Sequence, residues 1–389
     1  MASFAWSGAS RTSRRGVVAH LSPAYLLGRL VGRRVPVVRG VSRLRVRAPG
    51  WAWHLVESAT LRAGDDAGRM PSPEELDALL AEAGVVGTLA GVTELPSSSG
   101  LAVAVLAVED PARELVLKVA VEPQAVAELR ADASVRSRLS EDRRAGEWGR
   151  LLPHVLASSL DRSPATSLEQ RIAGIGGAAL MVGAGPTWRR AYDSAAAAIV
   201  ELHSRTSEHV RVDADRLRAW VDDPVAVLDG VFAAGGWQRV ALRRLQEEIS
   251  RSLTGRSIAV GWTHGDYSPG NLIFSPGGEL AGVVDWGAGS PEGLLQVDTA
   301  TLGLTTAMLR RRREFGDVVM GALQEAQPAP GGGIGRRPPA GPLSWREAVL
   351  LAWLRHVTLN LTKTQRYRRR DVWRAVNVDG VLSVVTRGA

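Results

Sequence analysis

The chain has no cysteine, and of its 48 basic residues only two, Lys118 and Lys363, are lysine. The first absence excludes a disulfide scaffold, a thiolate zinc site and a cysteine nucleophile, without fixing a compartment. The second makes each lysine conspicuous in an arginine-rich chain. No uninterrupted apolar run approaches the roughly 20 residues needed to span a bilayer, and no signal-peptide pattern leads to a cleavage-like site. A soluble, cytoplasmic protein without a membrane span is therefore expected. No internal repeat is visible, and no feature specifies an oligomeric state. Acidic residues are absent from the first 50 positions, which hold ten arginines from Arg11 to Arg47, and the rest of the chain carries 38 basic against 40 acidic side chains. The pI of 10.7 thus belongs largely to the N-terminal segment. Such an arm can bind nucleic acid or an anionic surface through counterion release; the blander reading is a solvated extension.

What is present is ordinary for a globular chain of 389 residues, with 45% hydrophobic and 23% charged residues, enough for two or three domains. Ser72-Pro73-Glu74-Glu75 supplies an N-cap, a proline at the first helical position and a capping-box glutamate. Leu76, Leu79, Leu80 and Ala83 give the helix that follows one apolar face. Leu101 to Val108 and Glu114 to Val121 read as consecutive strands, Ala125 to Leu139 as a helix, and Leu168 to Ile172 as a strand. The segment 326–342, with its Pro-Ala-Pro-Gly-Gly-Gly and Arg-Arg-Pro-Pro runs, is too rich in proline and glycine for a core element and reads as a flexible surface insertion. Helix returns over Trp345 to Leu361, with Ser344 as its N-cap.

The chemistry concentrates in Thr263-His264-Gly265-Asp266-Tyr267-Ser268-Pro269-Gly270-Asn271 and Val283-Val284-Asp285-Trp286-Gly287. Between them, Leu272-Ile273-Phe274 and Ala281-Gly282-Val283-Val284 flank the turn Ser275-Pro276-Gly277-Gly278-Glu279, so a hairpin returns Asp285 toward Asn271. Phosphoryl transfer asks a protein for a base beside the attacking hydroxyl, oxygen ligands for magnesium and cations on the phosphates. Asp266 suits the base. Asn271 and Asp285 suit magnesium, which takes only one or two oxygens from protein when phosphates supply others. Any one of these residues alone reads more readily as a turn residue; their joint occurrence around a hairpin favours the chemical reading. His264 has no second histidine at ligand spacing and reads as loop support.

His264-Gly265-Asp266 with Asn271, then Asp285-Trp286, resembles the catalytic and metal-binding loops of the aminoglycoside phosphotransferase and choline kinase group, distant relatives of protein kinases. The resemblance implies an α+β, two-lobed protein-kinase-like fold: a small antiparallel β lobe over about 85–172, and a larger, mainly helical lobe carrying catalysis and the acceptor over 173–389. Residues 1–84 would form a basic N-terminal extension with its capped helix. It further implies Asp266 as catalytic aspartate, His264 as its buttress, Asn271 and Asp285 on magnesium, and Asp298 steadying the loop from the next helix. Lys118 matches the family's nucleotide-binding lysine, on a strand where a compact ammonium is not interchangeable with a guanidinium fork. Its acidic partner would be Asp132 or Glu128, Asp132 lying closer to the family position although the family more often uses glutamate there. Ser98, Ser99 and Gly100 would cover the phosphates with backbone N–H and hydroxyl donors, and Gln170 would lead into the adenine-binding hinge. Leu202-His203 resembles the end of a family helix.

The function expected is ATP-dependent transfer of the terminal phosphoryl group, with GTP as alternative donor and Mg2+ as cofactor, to a hydroxyl of a small molecule. Family acceptors include aminoglycosides, choline, ethanolamine, homoserine and sugars. A polycationic antibiotic would want a dense carboxylate pocket; Asp213, Asp215, Asp222 and Asp223 supply acid, but among many arginines. Two other classes stay open: an inactive kinase-like nucleotide-binding regulatory module, and a nucleic-acid-associated protein acting through the basic arm.

Overall fold

The computed structural model describes residues 73–85, 89–95, 101–108, 114–120, 122–232, 236–324, 342–363 and 371–387. The basic arm, the N-cap Ser72, the loop holding Ser98, Ser99 and Gly100, and the Pro/Gly-rich segment through residue 341 lie outside the described residues.

The small lobe opens with helix α1 (Pro73–Glu82), followed by β1 (Leu89–Leu95), β2 (Leu101–Val108), β3 (Glu114–Ala120), α2 (Pro123–Glu141), β4 (Val155–Ser159) and β5 (Thr166–Gln170). The five strands form one antiparallel sheet in the order β1-β2-β3-β5-β4. Alternation along β3 sorts its side chains between two faces. Leu115, Leu117 and Val119 pack with Leu106 of β2, Leu168 of β5 and Leu76 and Leu80 of α1. The opposite face carries Lys118, directly across from Ser167. There Ala120 packs with Ala125 and Leu129 of α2. The apolar stripe of the 73–82 helix is thus buried in the small lobe, and one core crosses the expected boundary at residue 84.

Strand β5 begins at Thr166, earlier than the expected Leu168, because pairing with both β3 and β4 extends back to that residue. It stops at Gln170.

The larger lobe contains β6 (Ile175–Gly176), α3 (Gly177–Val182), α4 (Thr187–Thr206), β7 (Glu208–Arg211), α5 (214–229, with a π-helical middle), α6 (Trp237–Leu253), β8 (Ser257–Thr263), β9 (Leu272–Phe274), β10 (Leu280–Val283), β11 (Ser290–Leu294), α7 (Leu295–Arg311), α8 (Phe315–Gln324), α9 (Trp345–Lys363) and a helical C-terminal segment over 371–387. Two three-stranded sheets, β10-β9-β6 and β11-β8-β7, frame the loops of interest. One core, formed by Trp262, Tyr267, Phe274, Trp286 and Leu202 with Leu139 of α2, lies beneath the hairpin. A second joins α6, α7, α8, α9 and the C-terminal segment around Trp353 and Leu354. No helix among the described residues is long and apolar enough to cross a membrane. The architecture is a small antiparallel β lobe joined to a mostly helical lobe, the kinase-like arrangement expected.

Candidate active site

The hairpin forms as the sequence dictates. Leu272 and Ile273 of β9 pair with Val283 and Gly282 of β10, and the turn is closed by Ser275 N–H to Glu279 O at 2.8 Å and Gly278 N–H to Ser275 O at 3.0 Å. Its open end is stitched by Val284 N–H donating to Asn271 O at 2.9 Å, which brings the two loops together. Asn271 Nδ2 then donates to the Asp266 carbonyl at 2.9 Å, so the amide oxygen is turned away from that bond.

His264 is fully buried and serves both loops. Its Nδ1 accepts from Asp266 N–H at 3.2 Å, and its Nε2 lies 2.9 Å from the Val284 carbonyl. Those partners select the tautomer protonated on Nε2, since a carbonyl can only accept. Asp298, at the first turn of α7, accepts from His264 N–H at 2.7 Å and Gly265 N–H at 2.9 Å. His203, at the end of α4, lies 3.5 Å from the same carboxylate. Gly265 has φ +76°, and a Cβ there would stand 2.2 Å from the Ala288 carbonyl oxygen, so a side chain is excluded by both backbone and space. Arg355 of α9 donates Nε to Gly265 O at 2.7 Å and bonds the Ala288 carbonyl, fastening the 264–271 loop to the loop after Asp285.

Asp285 itself is left-handed, with φ 62° and ψ 60°. A non-glycine residue there carries a backbone cost that persists only where its surroundings hold it. The holding group comes from the other lobe: Asp132 Oδ1 of α2 accepts Trp286 N–H at 2.7 Å.

Lys118 Nζ lies 3.4 Å from Asp285 Oδ1, 3.3 Å from Glu169 Oε2 and 3.9 Å from Asp132 Oδ2. The closest acid is therefore Glu169 on the neighbouring strand, with Asp132 farther off. Arg136 explains this arrangement. One turn beyond Asp132, it forms ion pairs with Asp132 Oδ2 at 2.7 Å and Glu169 Oε1 at 3.0 Å, tying the short aspartate to the strand glutamate. The other candidate, Glu128, has its carboxyl raised by burial, an effect opposed by Lys363 and reinforced by Asp285. Sequence reasoning missed Glu169 and Arg136. The signal available was a carboxylate on a paired strand, two residues after Ser167 and so on the face of Lys118. Gln170 is exposed at the end of β5, its N–H bonded to the His154 carbonyl at 2.8 Å, and no described ion pair or hydrogen bond joins it to this cluster.

Charge balance in the cleft keeps the acids ionised. Burial alone would raise the Asp266 carboxyl, but Lys363, His356 and His264 outweigh it and hold it down to about 2. Asp285 is likewise pushed up by desolvation and brought below the usual carboxylate range by Lys118, Lys363 and His264. Lys118 is held well above an ordinary lysine: burial opposes its charge, and Asp132, Asp285 and Glu169 overcome that.

The donor set suits magnesium. Asn271 offers its amide oxygen, and the half-exposed Asp285 offers the carboxylate oxygen outside the Lys118 pair. No group of three or more His, Asp or Glu that could hold a metal occurs among the described residues. Two hard oxygens with room for phosphate and water match an ion that is seldom caged by protein alone.

Comparison with known proteins follows this geometry. The model of the phosphotransferase enzyme family (APH) matches residues 93–291, a little over half of the chain and including every loop described above. No curated protein matches the chain. Among solved structures, a thermostable mutant of aminoglycoside phosphotransferase APH(4)-Ia in ternary complex with ADP and hygromycin B is 12% identical with TM-score 0.53, over 80% of this chain and 98% of that one. A structure of APH(4)-Ia is 15% identical with TM-score 0.51, over 81% and 98%. At such identities the likeness is one of fold. By the extent of the family match, the chain belongs to the phosphotransferase enzyme family.

Proposed function

We propose that this protein transfers the terminal phosphoryl group of a magnesium nucleotide to a hydroxyl of a small molecule, with ATP as donor. The observation that carries the reading is convergence. Asn271 bonds the Asp266 backbone carbonyl, the hairpin brings residue 284, beside Asp285, against Asn271, and Lys118 reaches Asp285 from the other lobe at 3.4 Å.

In this reading Asp266 orients the acceptor hydroxyl and takes its proton as the hydroxyl oxygen bonds to phosphorus. The bond between phosphorus and the bridging oxygen breaks, and its electron pair leaves with the nucleoside diphosphate. Lys118 holds phosphate oxygens; Asp132 and Glu169 keep its ammonium charged, and Arg136 holds those two acids in place. Asn271 and Asp285 would hold magnesium, which when bound neutralises phosphate charge. His264 contributes by fixing the backbone N–H of Asp266 and the carbonyl of Val284, so it positions the loops without touching substrate.

The acceptor is a small hydroxyl compound. Aminoglycoside phosphotransferase APH(4)-Ia has been solved with hygromycin B, but the acids suited to a polycation are partly neutralised here. Asp213 pairs with Arg216 and Asp215 with Arg218. The test is a metabolite panel screened for acceptor-dependent ATP consumption, with Asp266→Asn as control. That variant should lose roughly 10²- to 10⁴-fold in turnover and keep its nucleotide affinity, because a base acts at the chemical step. Undiminished turnover in the variant would remove Asp266 from the role.

A further inference from the structure

Both lysines of the chain come to this cleft. Lys118 pairs with Asp285, and Lys363, the last residue of α9, places Nζ 3.4 Å from Asp266 Oδ2. Arg355 and Lys363 are two turns apart on α9, about 12 Å along the axis. The same helix that pins the Gly265 carbonyl thus also delivers an ammonium to the neighbouring aspartate.

An ammonium on the catalytic base competes with the hydroxyl proton that base must accept. The arrangement is chemically sensible only if something draws the ammonium away. Between Asp266 and Asn271 the loop has Tyr267, Ser268, Pro269 and Gly270, none of them cationic. Other nearby cations are committed: Arg355 to two backbone carbonyls, and Arg136 to Asp132 and Glu169. Among the lysines and arginines of the described residues, only Lys118 and Lys363 form a salt bridge with Asp266 or Asp285. Lys363 keeps a third of its side chain exposed, on a flexible stem able to move. A terminal phosphoryl group carries more charge than one carboxylate and offers three oxygens. A compact ammonium follows such a target where an arginine fork would demand one geometry.

Resting on the phosphotransferase reading, we propose that Lys363 is the second phosphate-binding cation of the site. It leaves Asp266 for the terminal phosphoryl group when nucleotide binds, freeing the base and clamping that group from the large lobe opposite Lys118. Lys363 keeps its own protons throughout; the hydroxyl proton goes to Asp266.

The absence of cysteine makes the test clean. Lys363→Cys creates the sole thiol of the chain, which 2-bromoethylamine converts to a side chain ending in an ammonium and iodoacetamide converts to a neutral amide. Affinities for the magnesium complexes of ADP and of a non-hydrolysable ATP analogue are measured by calorimetry, together with phosphate release from ATP. The unmodified variant should bind ADP like the wild type and lose roughly tenfold or more for the ATP analogue. Its phosphate release should fall roughly 10²- to 10³-fold. Bromoethylamine should restore most of both, and iodoacetamide neither. An unchanged preference for the ATP analogue over ADP, or equal loss for both nucleotides without rescue, overturns the role of Lys363 and leaves the phosphotransferase reading standing. A wild type that binds neither nucleotide overturns both.

Discussion

Asp266 shows how one residue can tie chemistry to stability. Its carboxyl is ordinary in the unfolded chain, near 3.8, and falls to about 2 in the fold. A depressed acid stabilises the fold above its unfolded value and loses that contribution as pH falls through the folded one. The urea-unfolding free-energy difference between wild type and Asp266→Asn should therefore shrink by about 1 kcal/mol from pH 5 to pH 3. Gly265 is legible in a different way. Gly265→Ala would place a Cβ against the Ala288 carbonyl at a left-handed φ. The variant should lose about 2 kcal/mol of stability in urea melts, and its turnover should fall because the two loops can no longer abut. In the sequence that glycine is one letter of a motif; the carbonyl it must admit comes from residue 288, beyond the hairpin.

At the scale of elements, α2 links the lobes. Its Asp132 accepts the Trp286 N–H, and the next turn supplies Arg136 to bind Asp132 and Glu169. Arg136 is 6% exposed, so removing it strands acids that water cannot reach. Arg136→Met should cost about 3–5 kcal/mol in equilibrium unfolding. It should also weaken nucleotide binding, as Lys118 is drawn toward the uncompensated pair; unchanged affinity would place Arg136 in stability alone. Strands β2 and β3, the hairpin and the 264–271 loop were legible because their patterns are local: alternation on β3, a turn between β9 and β10, three polar residues in order. Of the acids around Lys118, Asp132 was anticipated and pairs with it at 3.9 Å, whereas Glu169 was not, because it reaches Lys118 from a neighbouring strand. Only the register of β3 against β5 places Glu169 closest.

For the whole molecule, the cleft lies where α2 of the small lobe packs Leu139 into the core beneath the hairpin and joins the large lobe through ion pairs and the Trp286 N–H bond to Asp132. A ligand that binds this junction stabilises the fold by mass action, about 2.7 kcal/mol at a hundred times its dissociation constant. Magnesium nucleotide should thus raise the melting temperature more than nucleotide with chelator, and Asp285→Asn should erase most of that difference in a thermal-shift series. In the sequence, the kinase-like architecture was implied by the resemblance of two loops to a family, and the approach of Asp285 to Asn271 by the hairpin between them, since a hairpin of this length brings its two ends together whatever surrounds it. That Glu169 lies closest to Lys118, and that Lys363 lies against Asp266 although 97 residues separate them, was decided only by tertiary structure. Packing of α9 behind the catalytic loop sets that contact, and no local pattern in the chain encodes it.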